Sequence, residues 1–107
     1  MKNKLKLILW GKKLQLPEDY NNLEFDNYEL ENNHGYKLYI YKNNKKIKQI
    51  WYYENRNKIF EYNYKNGKLN GKQYRWDENG KLYFEYNYKD GEQNGKQYYC
   101  GTIYYVR

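Results

Sequence analysis

An all-β fold, an antiparallel meander of β-hairpin repeats, is what this chain predicts, and three observations carry the prediction. The first is a duplication. Phe60-Glu61-Tyr62-Asn63-Tyr64-Lys65-Asn66-Gly67-Lys68-Leu69-Asn70-Gly71-Lys72-Gln73-Tyr74 returns 24 residues later as Phe84 to Tyr98, differing only at positions 66, 68 and 69. Both glycines and the spacing between them survive. A fixed period of this length marks stacked supersecondary units, none able to bury its apolar face alone. The second is period-two alternation: Leu82, Phe84, Tyr86 and Tyr88 share one face of a strand, and Phe60, Tyr62 and Tyr64 repeat the pattern. The third is turn chemistry. Asn66-Gly67, Asn79-Gly80 and Asp90-Gly91 are hairpin signals between apolar runs.

The chain of 107 residues is expected to form one domain, with a divergent section over 1–30 and hairpin repeats of about 24 residues over 31–107. There is no Ala or Ser and a single Val, whereas Tyr occurs 17 times. A core must therefore be built from Tyr, Leu, Ile, Trp and Phe. Tyrosine buries its ring but keeps its hydroxyl at water or at a partner. That suits a thin, half-exposed sheet.

Taken in order, Leu5, Leu7 and Leu9 alternate with Lys4, Lys6 and Ile8, which reads as a strand. Trp10-Gly11-Lys12-Lys13 reads as a turn, Leu14-Gln15-Leu16 as a short strand ended by Pro17, and Glu18 to Asn22 as a loop or one helical turn. Leu23-Glu24-Phe25 and Tyr28-Glu29-Leu30 read as short strands. Turn starts at Glu31-Asn32, Glu54-Asn55 and Glu78-Asn79 then set the repeat register. Strands are expected over Tyr36 to Lys42, Lys58 to Lys65 and Lys81 to Lys89. Longer turns follow over 43–46, 66–71 and 90–95, with return strands over Ile47 to Tyr53, Lys72 to Trp76 and from Lys96 onward. The earliest unit has Asn44 where the later ones have Gly67 and Gly91. Asn is the next best residue for a left-handed backbone, so its turn can survive. No stretch shows sustained helical periodicity. The aromatic set Phe60, Tyr62, Phe84 and Tyr86 is expected on the buried face, and Gln73 and Arg75 on the opposite face from Tyr74 and Trp76.

The net charge is +7, unevenly distributed. Lys2, Lys4, Lys6, Lys12 and Lys13 make a basic start, and no Lys or Arg occurs from Leu14 to Tyr36, where Glu18, Asp19, Glu24, Asp26, Glu29 and Glu31 fall. The apolar run after Lys6 is too short for a signal peptide, and no segment is long enough to span a bilayer, so a cytoplasmic protein is expected.

The stretches Tyr64-Lys65-Asn66-Gly67-Lys68-Leu69-Asn70-Gly71-Lys72 and Tyr88-Lys89-Asp90-Gly91-Glu92-Gln93-Asn94-Gly95-Lys96 resemble MORN repeats, in particular the bacterial MORN-like variant with a second Gly four residues after the first. Gly80 matches that variant's later Asn-Gly turn. The resemblance covers roughly residues 31–99; Asn43-Asn44-Lys45-Lys46 departs from it by lacking both glycines. It implies that the meander is an elongated, open, twisted antiparallel sheet of hairpins, and it implies a non-enzymatic role. It also implies protein–protein scaffolding, phospholipid association or, for many bacterial members, an antitoxin-like component.

Catalysis is hard to assemble. Thr102 is the sole aliphatic hydroxyl, the one His34 reads as a turn residue, and Cys100 reads as a packed thiol with no activating motif. No catalytic, cofactor-binding or metal-binding residues are assigned, and no cofactor is expected. Glu61 and Glu85 are repeat-equivalent and expected to pair with lysines across strands. Two features point to binding. Tyr52, Tyr53, Tyr74, Arg75 and Trp76 interleave with Lys45, Lys46, Lys48 and Lys72, a pattern able to stack bases and hold phosphates. The acidic block Glu18, Asp19, Glu24, Asp26, Glu29 and Glu31 either neutralises the basic sheet or forms an exposed strip able to compete for a nucleic-acid groove. The reading is a binding protein that docks on and inhibits a protein partner. The alternatives are an RNA- or DNA-binding module and, third, peripheral membrane attachment. Thr102-Ile103-Tyr104-Tyr105-Val106 reads as an edge strand, covered by the N-terminal section or used to add a strand from another molecule, including a second copy.

Overall fold

A computed structural model of the chain describes residues 2–107. Helix α1 (Lys2–Lys12) and a 3-10 turn (Tyr20–Asn22) precede ten strands. These are β1 (Asn27–Asn32), β2 (Tyr36–Lys42), β3 (Lys45–Tyr52), β4 (Lys58–Lys65), β5 (Lys68–Leu69), β6 (Gly71–Trp76), β7 (Leu82–Lys89), β8 (Glu92–Gln93), β9 (Gly95–Tyr99) and β10 (Thr102–Val106). They form one open antiparallel sheet in the order β1-β2-β3-β4-β6-β7-β9-β10, with β5 on β4 and β8 on β7. Spatial order follows sequence order, which is the meander the repeat predicts.

The turns explain that order. Asn66 and Gly67 have φ of 51° and 81°, and Asp90 and Gly91 have 51° and 88°. Two consecutive positive φ values make a turn whose twist matches the flanking strands. Asn43 and Asn44, at 52° and 63°, hold the same geometry without glycine. The loops expected over 66–71 and 90–95 are tighter than that. The chain turns in two residues, makes β5 or β8, and breaks at Gly71 or Gly95 before β6 or β9 resumes. At the break the Asn63 carbonyl keeps a backbone donor, the Asn70 N–H at 3.0 Å, but the Asn63 N–H loses its backbone acceptor, and the buried Gln73 supplies one. Its Oε1 accepts from the Asn63 N–H at 2.7 Å, and its Nε2 donates to the Asn63 carbonyl at 3.0 Å. Gln97 does the same for Asn87, at 2.8 and 2.9 Å. Gln73 is thus a plug within the sheet rather than part of a polar face, because a buried backbone amide must find a partner somewhere.

The cross-strand register separates two faces. One carries Leu38, Ile50, Glu61, Tyr74, Glu85, Tyr98 and Ile103 in successive pairs. The other carries Lys37, Trp51, Phe60, Arg75, Phe84 and Tyr99. The core lies on the first face. Leu38, Ile40, Ile50 and Tyr52 pack there with Leu5, Leu9, Leu14, Leu23 and Phe25. The aromatic set expected to be buried lies on the other face, outside this core. Phe60 is buried, while Tyr62, Phe84 and Tyr86 are only partly so. They shelter one another, with ring centroids 4.3 Å apart for Phe60–Tyr62 and 4.2 Å for Phe84–Tyr86.

The N-terminal third corrects the expected strands. Residues 2–12 are helical, not extended. Leu5 and Leu9 meet the core one turn apart, while Leu7 and Trp10 face solvent. A short run of Leu and Lys fits both periods, and both residues favour helix. The helix ends where Lys13 adopts a φ of 59° and the Leu14 N–H reaches back to the Leu9 carbonyl at 2.8 Å. That closing bond brings Leu9 and Leu14 together in the core. Residues 14–16 and 23–25 join no strand; they cross the sheet as irregular chain that buries Leu14, Leu23 and Phe25.

Candidate interaction surface

Where the N-terminal section meets the sheet, its acidic residues close an ion cluster. Glu61, fully buried, accepts from Lys48 Nζ at 3.0 Å, Lys58 Nζ at 2.8 Å and the Glu18 N–H at 3.0 and 3.1 Å. Lys48 also meets Asp19 at 3.0 Å, and Lys58 meets Glu18 at 3.1 Å. Two buried ammonium groups thus face three carboxylates, with Glu61 between them. The pairing expected of Glu61 across strands is present. Its repeat counterpart Glu85 is partly exposed and 3.8 Å from Lys72. The duplication copied the residue, but the N-terminal section covers only one of the two copies.

The aromatic and basic residues singled out in the sequence do not form one site. Lys48 and Tyr52 are interior rather than surface groups, and the Tyr52 hydroxyl donates to the Gln15 carbonyl at 2.6 Å. Tyr53 is half-buried and donates to the Trp76 carbonyl at 2.9 Å. Tyr74 and Trp76 stack at 5.3 Å on the helix side of the sheet, with Lys58 Nζ 4.8 Å from the Trp76 ring. Lys72 shares that side. Arg75 and Lys46 project from the opposite side, Lys46 Nζ lying 4.7 Å from the Tyr64 ring. Lys45 sits at the β2–β3 turn and bonds Asn66.

All six residues of the acidic block are exposed, but five of them are engaged by groups of the hairpins, as expected if the block neutralises the basic sheet. Glu18 and Asp19 serve the ion cluster, and Glu24 meets Lys42 at 3.3 Å. Asp26 accepts from the Asn43 N–H at 2.6 Å, and Glu29 accepts from the Tyr41 hydroxyl at 2.6 Å. Glu31 is exposed on β1.

What remains is a broad sheet face with no layer over it. Among the described residues the only structure outside the sheet is the N-terminal section, and it packs on the core side. The bare face presents Trp51, Phe60, Tyr62, Phe84, Tyr86 and Tyr99, with Lys37 Nζ 4.2 Å from the Trp51 ring. Its rings lean on their neighbours along each strand, and Trp51–Phe60 at 5.1 Å and Tyr86–Tyr99 at 6.4 Å carry the packing across strands. Ring faces spent on neighbours leave edges and hydroxyls for a partner.

His34 stands in the β1–β2 turn with a φ of 57°, and Cys100 in the β9–β10 turn with a φ of 48°. They lie at opposite ends of the strand order, so topology holds them apart. Cys100 is exposed, not packed as expected, because it occupies a turn rather than a strand interior.

The tyrosines give the fold a pH limit. Burial pushes the Tyr52 hydroxyl well above its ordinary value, with the Glu61 carboxylate adding to the effect. Burial does the same for Tyr74. A hydrogen bond to Glu29 raises Tyr41 to about 12. For each the folded chain holds its proton longer than the unfolded chain does. Their stabilisation is complete below the unfolded value, near 10, and is lost as pH rises above it. The unfolding free energy, and with it the melting temperature, should therefore fall between pH 10 and about 12. Tyr52→Phe should flatten the dependence of unfolding free energy on pH, measured by urea titration, by about 1.4 kcal/mol per pH unit. An unchanged slope in the variant would mean Tyr52 ionises freely in the folded state.

No family model and no curated protein matches this chain. Among solved structures, a chain of the Glycosylation Associate Protein (Gap123) complex from Streptococcus agalactiae is similar, with a TM-score of 0.50 and 20% sequence identity. The match covers 88% of this chain and 20% of that one, so this chain spans about a fifth of its structural neighbour. At this identity the likeness concerns the fold.

Proposed function

We propose that this chain is a non-enzymatic binding protein built from MORN-like hairpins. It docks on a protein partner through its bare sheet face and restrains that partner in the manner of an inhibitor or antitoxin. One observation carries the reading: the sheet has a layer on one side only, and the other side is a field of aromatic rings flanked by Lys37 and Lys46 and divided by Arg75, which stands between Phe60 and Phe84. Tyrosine and arginine supply contact area at low entropic cost, and both are enriched where partners bury most of their binding energy. The pairing of Glu18, Asp19 and Glu24 with lysines of the sheet supports a partner that meets this face rather than an acidic strip.

The test is retention of lysate components on immobilised chain, with and without nuclease, followed by direct titration of whatever protein is retained. Binding should survive nuclease and weaken at least tenfold with Tyr86→Lys, a half-exposed position on the bare face. It should change little between low and moderate salt. A retained species that is only nucleic acid, released with a steep linear loss of log affinity against log salt, would replace this reading with the nucleic-acid one.

A further inference from the structure

The two ends of the sheet are not alike. At one end β1 exposes Glu29 and Glu31, charges that discourage another strand from pairing. At the other end β10 has no charged residue and no Pro from Thr102 to Val106, and its register on β9 runs without a bulge. The N-terminal section, a candidate cover for this edge, packs instead at the far end, against residues of β2 and β3. Ile103 and Tyr105 are 53% and 74% exposed.

The hairpin decides which backbone groups are unpaired. Cys100 and Gly101, with φ of 48° and 88°, form a two-residue turn. Tyr99 and Thr102 close it as a hydrogen-bonded pair, and bonded pairs then alternate along the ladder. Gln97–Tyr104 and Gly95–Val106 are the next bonded pairs in the register. The N–H and C=O groups of Ile103 and Tyr105 therefore point away from β9, and among the described residues no strand meets them.

From this geometry we infer that two copies of the chain join edge to edge, β10 against β10, antiparallel and centred on Tyr104. Ile103 of each copy then faces Tyr105 of the other, and each such pair exchanges two backbone hydrogen bonds. The exposed Ile103 and Tyr105 side chains meet as aliphatic–aromatic cross-strand pairs, which stabilise antiparallel sheets. On the bare face the two Tyr104 residues flank the two-fold axis, each side chain leaning back to Tyr86 of its own copy and leaving the axis clear. Arg107 of each copy falls beside the other's turn, outside the ladder, so no like charges are opposed within it. Registers shifted by two residues are poorer. One sets Arg107 against Ile103, and the other requires Gly101 to leave its turn. The interface uses one patch twice and closes as a dimer, whereas β10 on β1 would build an open-ended fibre. The pairing is independent of partner docking on the sheet face. With a charge of +7 on each copy, salt should tighten it by screening.

Sedimentation measurements across concentration and salt test the idea. The chain, 13.5 kDa, is expected to sediment at twice that mass, with the dimer fraction rising with salt. Tyr105→Pro removes an outward N–H that the β9 ladder does not use, so it should yield a monomer with nearly unchanged melting. Hydrogen exchange on the unmodified chain supplies a second reading that does not depend on the variant folding. The Ile103 and Tyr105 amides should gain protection as concentration rises, while the Tyr104 amide stays protected throughout. A monomer at all accessible concentrations, species larger than a dimer, or a dimer that persists in a folded Tyr105→Pro chain would overturn the proposal.

Discussion

Glu61→Ala is expected to destabilise the fold by about 3–5 kcal/mol, because it strands two buried lysines without their shared carboxylate. Lys48 and Lys58 are 1% and 3% exposed, and both aim their ammonium groups at Glu61. Asp19 and Glu18 remain within reach of them but are about half exposed, so water weakens their hold. A domain of this size has a total stability of about 5–15 kcal/mol, so the variant stands at the edge of folding. Glu85→Ala supplies the internal control. It removes the same residue type at the equivalent repeat position, from a partly exposed pair at 3.8 Å, and should cost no more than about 1 kcal/mol. Urea titration of the two variants measures the difference. Equal losses would mean the N-terminal section does not seal the Glu61 site.

Leu9→Ala should cost about 2–5 kcal/mol, since it opens a cavity between α1 and the sheet. Leu9 is fully buried among Leu5, Leu14 and the β2–β3 core residues. Leu7→Ala, two residues away and 72% exposed, should stay within about 0.5 kcal/mol. The contrast separates the two periods that this stretch allows. In a strand, Leu5, Leu7 and Leu9 would share a face and both truncations would hurt alike. In the helix only the residues one turn apart meet the core. Thermal melts of both variants settle it, and comparable losses would contradict the helix.

The hairpin repeats were legible because their determinants are local. Asn-Gly and Asp-Gly turns need particular φ values from two adjacent residues, and alternation needs only its own strand. Those signals survived even where Asn43-Asn44 replaced the glycine pattern. The length of the turns was less legible. Asn70-Gly71 reads as loop, yet the chain has already turned and is pairing again, and the residue that repairs the gap is Gln73, whose role depends on a neighbouring strand. The contents of the bare face were also legible as a row of aromatics, but not its exposure.

The sequence by itself determined the meander, the position of its turns and the two alternating faces. Each follows from residues within a few positions of one another. Tertiary structure alone decided which face became the core. In β3 both faces carry large apolar or aromatic side chains, Ile50 and Tyr52 on one and Trp51 on the other, so alternation does not choose between them; in β4 and β7 it favours the aromatic face, which is not the face the core took. The N-terminal section makes the choice by laying Leu5, Leu9, Leu14, Leu23 and Phe25 on one side. That choice buried Lys48, Lys58 and Glu61 together and left Phe84 and Tyr86 at the surface. It also converted a leucine–lysine alternation into a helix, because an apolar sheet face rewards residues spaced one helical turn apart. A short pattern compatible with two periods is resolved by the surface on which it lands.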